Sequence, residues 1–407
     1  EIRQHPAAQG HSVHRVKNKE GFKLKLDVSK YAIVVEMIII FAVFALFSKG
    51  MFLTNTNINN LILQTCTYAL MGCSMVYVMV IGGIDLSAGA VIGFLSTFAA
   101  TLSVTLGFST GVTILLTILC GLLIGAFNGY WIAFQQMPAF IVTLSGQMIF
   151  KGLNLLVGKG VSIGPVPESF AMFGRSFLPK LIFKDWAYSD TSVLAIVLFL
   201  AVAILLTISS RRSKKKYGFE TLPLGIEILK IAAICVVTVA VGIILISYRG
   251  VPNAFVLLII VCALVTFMAN STPFGRSIYA IGGNRDAARL SGINIRRETF
   301  KVYLLHGFVL SLATIIYLGR AGSASSATGT NFEFSAITGC ILGGTSTLGG
   351  SGTAIGAIIG CLIMASLDNG MSLLNLGTTW QFLIKGCVLL LAVFLDITSK
   401  QKKISAK

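Results

Sequence analysis

Charge is what this sequence has least of. Charged residues make up 12% of its 407 positions, about half the share usual in a soluble domain. Hydrophobic residues reach 55%, which excludes a disordered chain. Acidic residues are scarcer still, 15 against 32 Lys and Arg, for a net charge of +17. In a soluble protein that excess points to nucleic acid, so the location of the charges has to decide. Histidine is limited to four residues. His5, His11 and His14 lie in a polar leader with no cysteine or carboxylate cluster beside them, and His306 stands apart, so no metal centre is expected. The eight cysteines (Cys66, Cys73, Cys120, Cys235, Cys262, Cys340, Cys361, Cys387) fall in apolar segments without a CxxC pair. That excludes a disulfide-stapled fold and leaves them as small packing residues. A GxxxxGK[ST] phosphate loop is also missing. The run Gly343 to Gly352 has no lysine to meet a phosphate, and Leu144-Ser145-Gly146-Gln147 follows an apolar Ile-Val-Thr run. Neither a catalytic residue nor a cofactor is expected.

What the sequence has in quantity is apolar runs of about 17–21 residues, long enough to cross a bilayer. They fall near 31–48, 61–81, 86–106, 111–134, 139–156, 192–209, 226–246, 253–270 and 302–318, with three more at about 333–345, 352–368 and 379–396. The expected fold is an all-α polytopic membrane bundle of about 10–12 segments, with broken or re-entrant helices near its glycine-rich runs. The first run follows too long a polar leader for a cleavable signal and is read as a retained span. The basic residues cluster at 1–30, 211–216, 271–301 and 397–407, which together hold 22 basic and 5 acidic residues and so the whole +17. The positive-inside rule places all four in the cytoplasm, both termini included. Nothing is left for nucleic acid, and anionic membrane lipid accounts for the remainder. The expected layout is a cytoplasmic tail at 1–30, one transmembrane domain at 31–397 and a second basic tail at 398–407. The domain carries an external loop at 157–191 and a cytoplasmic loop at 271–300.

Ionisable and amide side chains at membrane depth are costly and therefore informative. Asp85 sits in VIGGIDLSAGA, after Gly82 and Gly83, where Ser87 can cap the following helix. Asp85 is a helix cap, a pathway or gate residue, or both. Asp368 in SLDNG repeats the pattern at a helix end, and Glu333 precedes a short broken segment. Asn128 in GAFNG, with Thr143 and Gln147 after Pro138, either lines a path for a hydroxylated solute or bonds helix to helix. Two glycine stripes, Gly121-Gly125-Gly129 and Gly352-Gly356-Gly360, read as smooth helix-packing seams. In the loop at 271–299, Asp286-Ala287-Ala288-Arg289-Leu290 forms a short surface helix ended by Gly292. The loop is either a solvated cytoplasmic loop or, as its interleaved apolar and basic residues favour, a docking knob for a motor subunit.

Several strings together resemble the inner-membrane permease of bacterial ATP-binding-cassette (ABC) sugar importers of the ribose, xylose and galactose group. They are GGIDLSAG at 82–89, GAFNG at 125–129, MPAFIVTLSG at 137–146, FGRSIYAIGGNRDAARLSGIN at 274–294, ILGGTSTLGG at 341–350 and MASLDNGMS at 364–372. The resemblance covers about 31–397, and the long external loop and the stretch at 209–224 look most like the permeases for D-xylose and related monosaccharides. It implies a homodimeric pore, a separate cytoplasmic ABC ATPase subunit, a periplasmic or extracellular sugar-binding protein and a monosaccharide substrate. It also implies a coupling helix within 274–294, so that Arg276, Gly282, Gly283, Asp286, Ala287, Arg289, Leu290 and Gly292 transmit alternating access. The competing expectation is an ion-coupled secondary transporter with Asp85, Glu333 and Asp368 as coupling groups.

Overall fold

Capping side chains in the sequence fix where many of the helices begin. Thr54 accepts from Asn57 N, Thr272 precedes Pro273 and accepts from Gly275 N, and Asn284, Asn294 and Thr353 accept from the third residue on. A computed structural model describes residues 28–183, 186, 188–219, 221 and 223–405. The leader up to residue 27, with His5, His11 and His14, and the last two residues lie outside the described residues. The elements are α1 (Val28–Phe47), α2 (Asn55–Val80), α3 (Ala88–Ala100, continued by a π-turn at Thr101–Thr105), α4 (Thr110–Ala133), α5 (Ala139–Gly158), α6 (Glu168–Arg175), α7 (Asp190–Lys216), α8 (Leu224–Tyr248), α9 (Asn253–Ser271), α10 (Pro273–Gly283), α11 (Arg285–Leu290), α12 (Ile295–Ala321), α13 (Phe332–Leu342), α14 (Ala354–Leu373) and α15 (Thr378–Ser405). Among the described residues there is no strand beyond two isolated bridges. Among the described residues ten helices are long and apolar enough to cross a membrane, and Ile33–Phe47 and Phe332–Leu342 are shorter apolar helices. The chain is thus an all-α, multi-pass membrane bundle. The run expected at 333–345 is an 11-residue helix, about 16 Å long at 1.5 Å per residue and so short of a full bilayer.

Helix α2 is the axis. It is buried almost throughout and packs on α9, α12, α13 and α14, while α7, α8 and α15 present mostly exposed Leu, Val, Ile and Phe to the surroundings. In a bilayer the apolar surface of a helix gains little from meeting another apolar surface, so close backbone approach decides which helices form the core. Gly121, Gly125 and Gly129 form a stripe on α4 facing α12: a Cβ on Gly125 would stand 2.5 Å from the Tyr303 carbonyl oxygen and 3.1 Å from Gly307 Cα. Gly356 and Gly360 lay α14 against Gly339 and Gly343 at the end of α13. Gly352, expected on that same stripe, is instead in the loop before α14, against the Thr345 side chain. The capping residue Thr353 starts the helix after it.

The segment at 157–191 is pinned down at several points. Ile163 and Ala324 exchange backbone hydrogen bonds of 2.8 and 3.0 Å, Leu178 N donates to Val251 O, and Asn253 N donates to Ser176 O. Its helix α6 buries Phe170, Ala171 and Gly174 against α12. At the opposite end of the bundle, Tyr279 of α10 donates to Gly352 O at 2.6 Å, and Thr347 donates to Asp396 of α15 at 2.8 Å. This end carries the loop at 271–300 and is called the basic face below.

A side chain added on the α4 stripe has nowhere to go. Gly125→Leu is expected to lower stability by about 3 kcal/mol or more, whereas Gly386→Ala, at a position with open space around it, is expected to be neutral or stabilising by about 0.5–1 kcal/mol. Thermal unfolding of the detergent-solubilised protein measures both.

Candidate functional site

The chain between α2 and α3, residues 81–87, runs non-helical through the interior, and a carboxylate organises it. Asp85 Oδ1 accepts from Ser87 N at 2.7 Å and from Ser87 Oγ at 2.6 Å. Asp85 thus closes a turn that leads into α3, whose N-cap position is Ser87; the Ser87 side chain makes no cap bond itself. Asp85 Oδ2 lies 3.5 Å from His306 Nε2, and His306 Nδ1 is 2.8 Å from Ser74 Oγ. Asn128 Nδ2 donates to Ser87 Oγ at 3.2 Å, and Thr143 Oγ1 donates to the Ile84 carbonyl at 3.1 Å. All six side chains are buried. One polar hub therefore ties the break to α2, α4, α5 and α12, supplying donors that the surrounding lipid cannot.

From this hub a polar stripe climbs α5 away from the basic face, through Thr143, Gln147, Lys151 and Asn154, at helical spacing. Gln147 Nε2 donates to Glu333 Oε1 at 2.7 Å, where α13 begins, and Asn154 Oδ1 accepts from Thr97 at 2.6 Å. Near the far end of the stripe, Lys151, Asn154, Thr328 and Thr330 line a cavity of about 250 Å³. Asp85, Asn128 and Thr143 thus converge, with Gln147 one turn further along. Asp368 stands elsewhere: it pairs with Lys385 Nζ at 2.6 Å and accepts from Tyr68 at 2.9 Å, joining α2, α14 and α15. Among the described residues no group of three or more His, Cys, Asp or Glu could hold a metal ion.

Below the hub, three backbone segments meet without side chains between them. Gly350 N donates to Val80 O at 2.9 Å, and a Cβ on Gly282 would stand 2.6 Å from Gly350 N. Gly282 is the last residue but one of α10, so the end of α10 rests on the last residue of α2. Gly283, by contrast, has open space around it. In α11, Ala288 turns inward and is buried, Ala287 is exposed, and Leu290 is 85% exposed, with Asp286 and Arg289 paired at 3.6 Å on the surface. Arg276 is exposed on α10, and Gly292 takes φ 83° at the turn after α11.

Residue-by-residue reading missed His306, Lys151 and Lys385. The signal for all three was an ionisable residue inside an apolar run, the same signal that picked out Asp85. The Asp368–Lys385 pair gives a direct test. Lys385→Met leaves a buried carboxylate without its cation and is expected to cost about 3–5 kcal/mol, while the double variant Asp368→Asn/Lys385→Met recovers most of the loss. Chemical unfolding of the three proteins side by side measures this.

With the geometry in view, comparison with known proteins is informative. A family model described as "Branched-chain amino acid transport system / permease component" matches residues 57–393. The chain is 37% identical over 382 residues to the xylose transport system permease protein of Haemophilus influenzae, covering 94% of this chain and all of that one. It is 36% identical to the xylose transport system permease protein of Escherichia coli strain K12, covering 93% and 94% of the two. It is 30% identical to the ribose import permease protein of Bacillus subtilis, covering 85% and 86%. No solved structure matches it. A match over most of the chain, agreeing with a bundle whose elements it spans from α2 to α15, decides the affiliation: the chain belongs to the permease family of bacterial ABC importers that contains these sugar permeases.

Proposed function

We propose that the chain is the membrane-spanning half of an ATP-driven monosaccharide importer in a bacterial inner membrane, with D-xylose the leading substrate. The names of its relatives support the substrate class, and the joint at Val80, Gly282 and Gly350 carries the mechanism. On this reading the basic face is cytoplasmic, both termini included, and α10–α11 is the coupling element. Arg276, Asp286, Ala287, Arg289 and the exposed Leu290 meet an ABC ATPase subunit, while Gly282, Gly283 and Gly292 set the backbone of the knob. ATP binding moves α11, α10 moves with it, and the glycine joint passes the displacement to the break at 81–87.

Beside that break, Asp85, Asn128, Thr143 and Gln147 begin the polar stripe of α5, which serves as the solute path in a homodimer. The exposed face of α5 around Ser145 and Met148 is free for the second copy. Asp368, locked to Lys385 and Tyr68, belongs to the scaffold supporting that path. A solute-binding protein delivers the sugar on the opposite side, where the tied-down loop at 157–191 lies. As a permease component the chain makes no bond change; hydrolysis belongs to the partner ATPase.

Uptake by proteoliposomes holding the permease, its ATPase and its binding protein tests the reading. Sugar uptake is expected to require ATP, and Leu290→Asp is expected to reduce it at least about tenfold, a loss of one buried apolar contact and the insertion of a charge, while the permease still folds. Uptake driven by a proton or sodium gradient without any ATPase would overturn the proposal.

A further inference from the structure

Helix α7 and the start of α9 are tied together at the end of the bundle opposite the basic face, where Val251 N donates to Ser192 Oγ at 2.9 Å and Ser192 Oγ donates to Ser189 Oγ at 3.0 Å. Past this junction, toward the membrane centre, α7 rests on α8 with Ile196 seated against Gly242, and α8 rests on α2, but neither α7 nor α8 packs closely on α9. The space left among the three helices is a groove of about 450 Å³, within the size range of ligand sites, about 300–1,000 Å³. Leu198, Phe199, Val202, Val237 and Ile260 on its rim are exposed, so the groove opens sideways to the surroundings.

Three features decide what can occupy it. The first is depth. The groove follows α7 from Ala195 to Val202, α8 from Leu245 back to Val237, and α9 from the preceding Val251 to Ile260, about 10–14 Å along each at 1.5 Å per residue. All three helices are long and apolar enough to cross a membrane, and half of the hydrocarbon core is about 15 Å. The groove therefore lies within one leaflet, the one away from the basic face. The second feature is chemistry. Among the described residues, Thr238 brings the one polar side chain to its walls. Water there would lack the several polar partners it needs, and cavities with such walls stay dry. The third is rigidity. Val202, Val237, Val241, Val256, Ile259 and Ile260 are β-branched and hold one favoured χ1 in a helix, so the walls cannot turn inward to close the space. Left empty, the groove would forfeit dispersion contacts along three helices. It is also too narrow to admit a further helix, which is about 10–12 Å across with its side chains. A single hydrocarbon chain meets all these conditions, and at this depth the bilayer supplies one.

We propose that this groove holds one acyl tail of a bilayer phospholipid, entering sideways from the leaflet away from the basic face. A tail lying on a flat helix face touches protein on one side and exchanges with the bulk lipid. A tail in the groove touches α7, α8 and α9 together, and the added dispersion contacts hold it in place. Tyr248, one turn beyond Leu245, marks the level of the head groups, since aromatic residues of a span gather at the interface. The bound tail fills the seam between the α7–α8 hairpin and α9 and so fastens the hairpin to the rest of the bundle. This binding does not depend on what the chain transports or on what drives it.

Native mass spectrometry of the detergent-purified full-length chain tests this, with palmitoyl-oleoyl phosphatidylethanolamine as the added probe. One phospholipid per chain is expected to survive collisional activation that strips detergent and the remaining lipid. Ala195→Phe and Val256→Phe each place a ring in the groove and are expected to cut that retention at least about tenfold by steric exclusion. Val197→Phe, on the exposed face of α7 outside the groove, is expected to leave it unchanged. The unfolding temperature gives a second readout: the phospholipid should raise it in the native protein and in Val197→Phe, and much less in the two filled variants. Without added lipid the filled variants should unfold at or above the native temperature, because the ring restores missing contacts, so lost retention is not a folding defect. Should one filled variant fail to fold, the other carries the comparison. Absence of a retained phospholipid from the native protein overturns the proposal whatever the variants do. So does equal retention in native and filled proteins, an equal loss in Val197→Phe, or a groove covered by a second copy of the chain, seen as a lipid-free dimer that Val256→Phe dissociates.

Discussion

A carboxylate in the middle of a membrane bundle needs neighbours that can stabilise its charge, and the interior of this protein is arranged around that need. Asp85 draws the amide and hydroxyl of Ser87, the imidazole of His306 and, through Ser87, the amide of Asn128 into one cluster. Those contacts come from helices far apart in sequence, so satisfying one side chain fixes the mutual placement of α2, α3, α4 and α12. The break is tolerable because it lies against protein and an open cavity and not against lipid; facing hydrocarbon, its carbonyls would be left unpaired. The same constraint accounts for the partition of the helices. Those touching the polar hub are held by short backbone approaches and named hydrogen bonds, while α7, α8 and α15 surround them with exposed aliphatic faces suited to lipid.

The bundle was largely legible from composition and spacing, because a span long enough for a bilayer leaves a run that no other structure needs. The stripe at Gly121, Gly125 and Gly129 was equally visible, since a four-residue repeat of the smallest side chain has a direct geometric meaning on a helix. The failure at Gly352 shows the limit of that rule. A four-residue interval says nothing about whether the helix has begun, and Thr353, a strong capping residue, was the better guide. Asp85, Asn128 and Thr143 were singled out separately for their polarity, but their convergence was not visible, because it depends on a chain reversal at 81–87 and on packing between segments up to 59 positions apart. Asp368 looked like a second copy of Asp85; what distinguishes them is Lys385, a cation on a helix whose neighbours no periodicity reveals.

Two kinds of polar contact therefore coexist in the interior. Asp368, Lys385 and Tyr68 form a closed set, with charge met by charge and a hydroxyl donating to the carboxylate. Around the hub, Asn128 Oδ1 and Glu333 Oε2 lack hydrogen-bond partners. Bonding capacity left unused there is available to another conformation or to a solute.

The joint where Gly282, Gly350 and Val80 meet has a mechanical character that its chemistry alone does not convey. Most contacts between helices are cushioned, because a side chain can change rotamer and absorb an ångström of movement before its neighbour responds. Here main chain bears on main chain, and main chain has no rotamers to yield. A displacement at one side of such a joint arrives at the other with little slack, as in a gear without backlash, and the stroke at the membrane break is set by how far the outer helix is pushed.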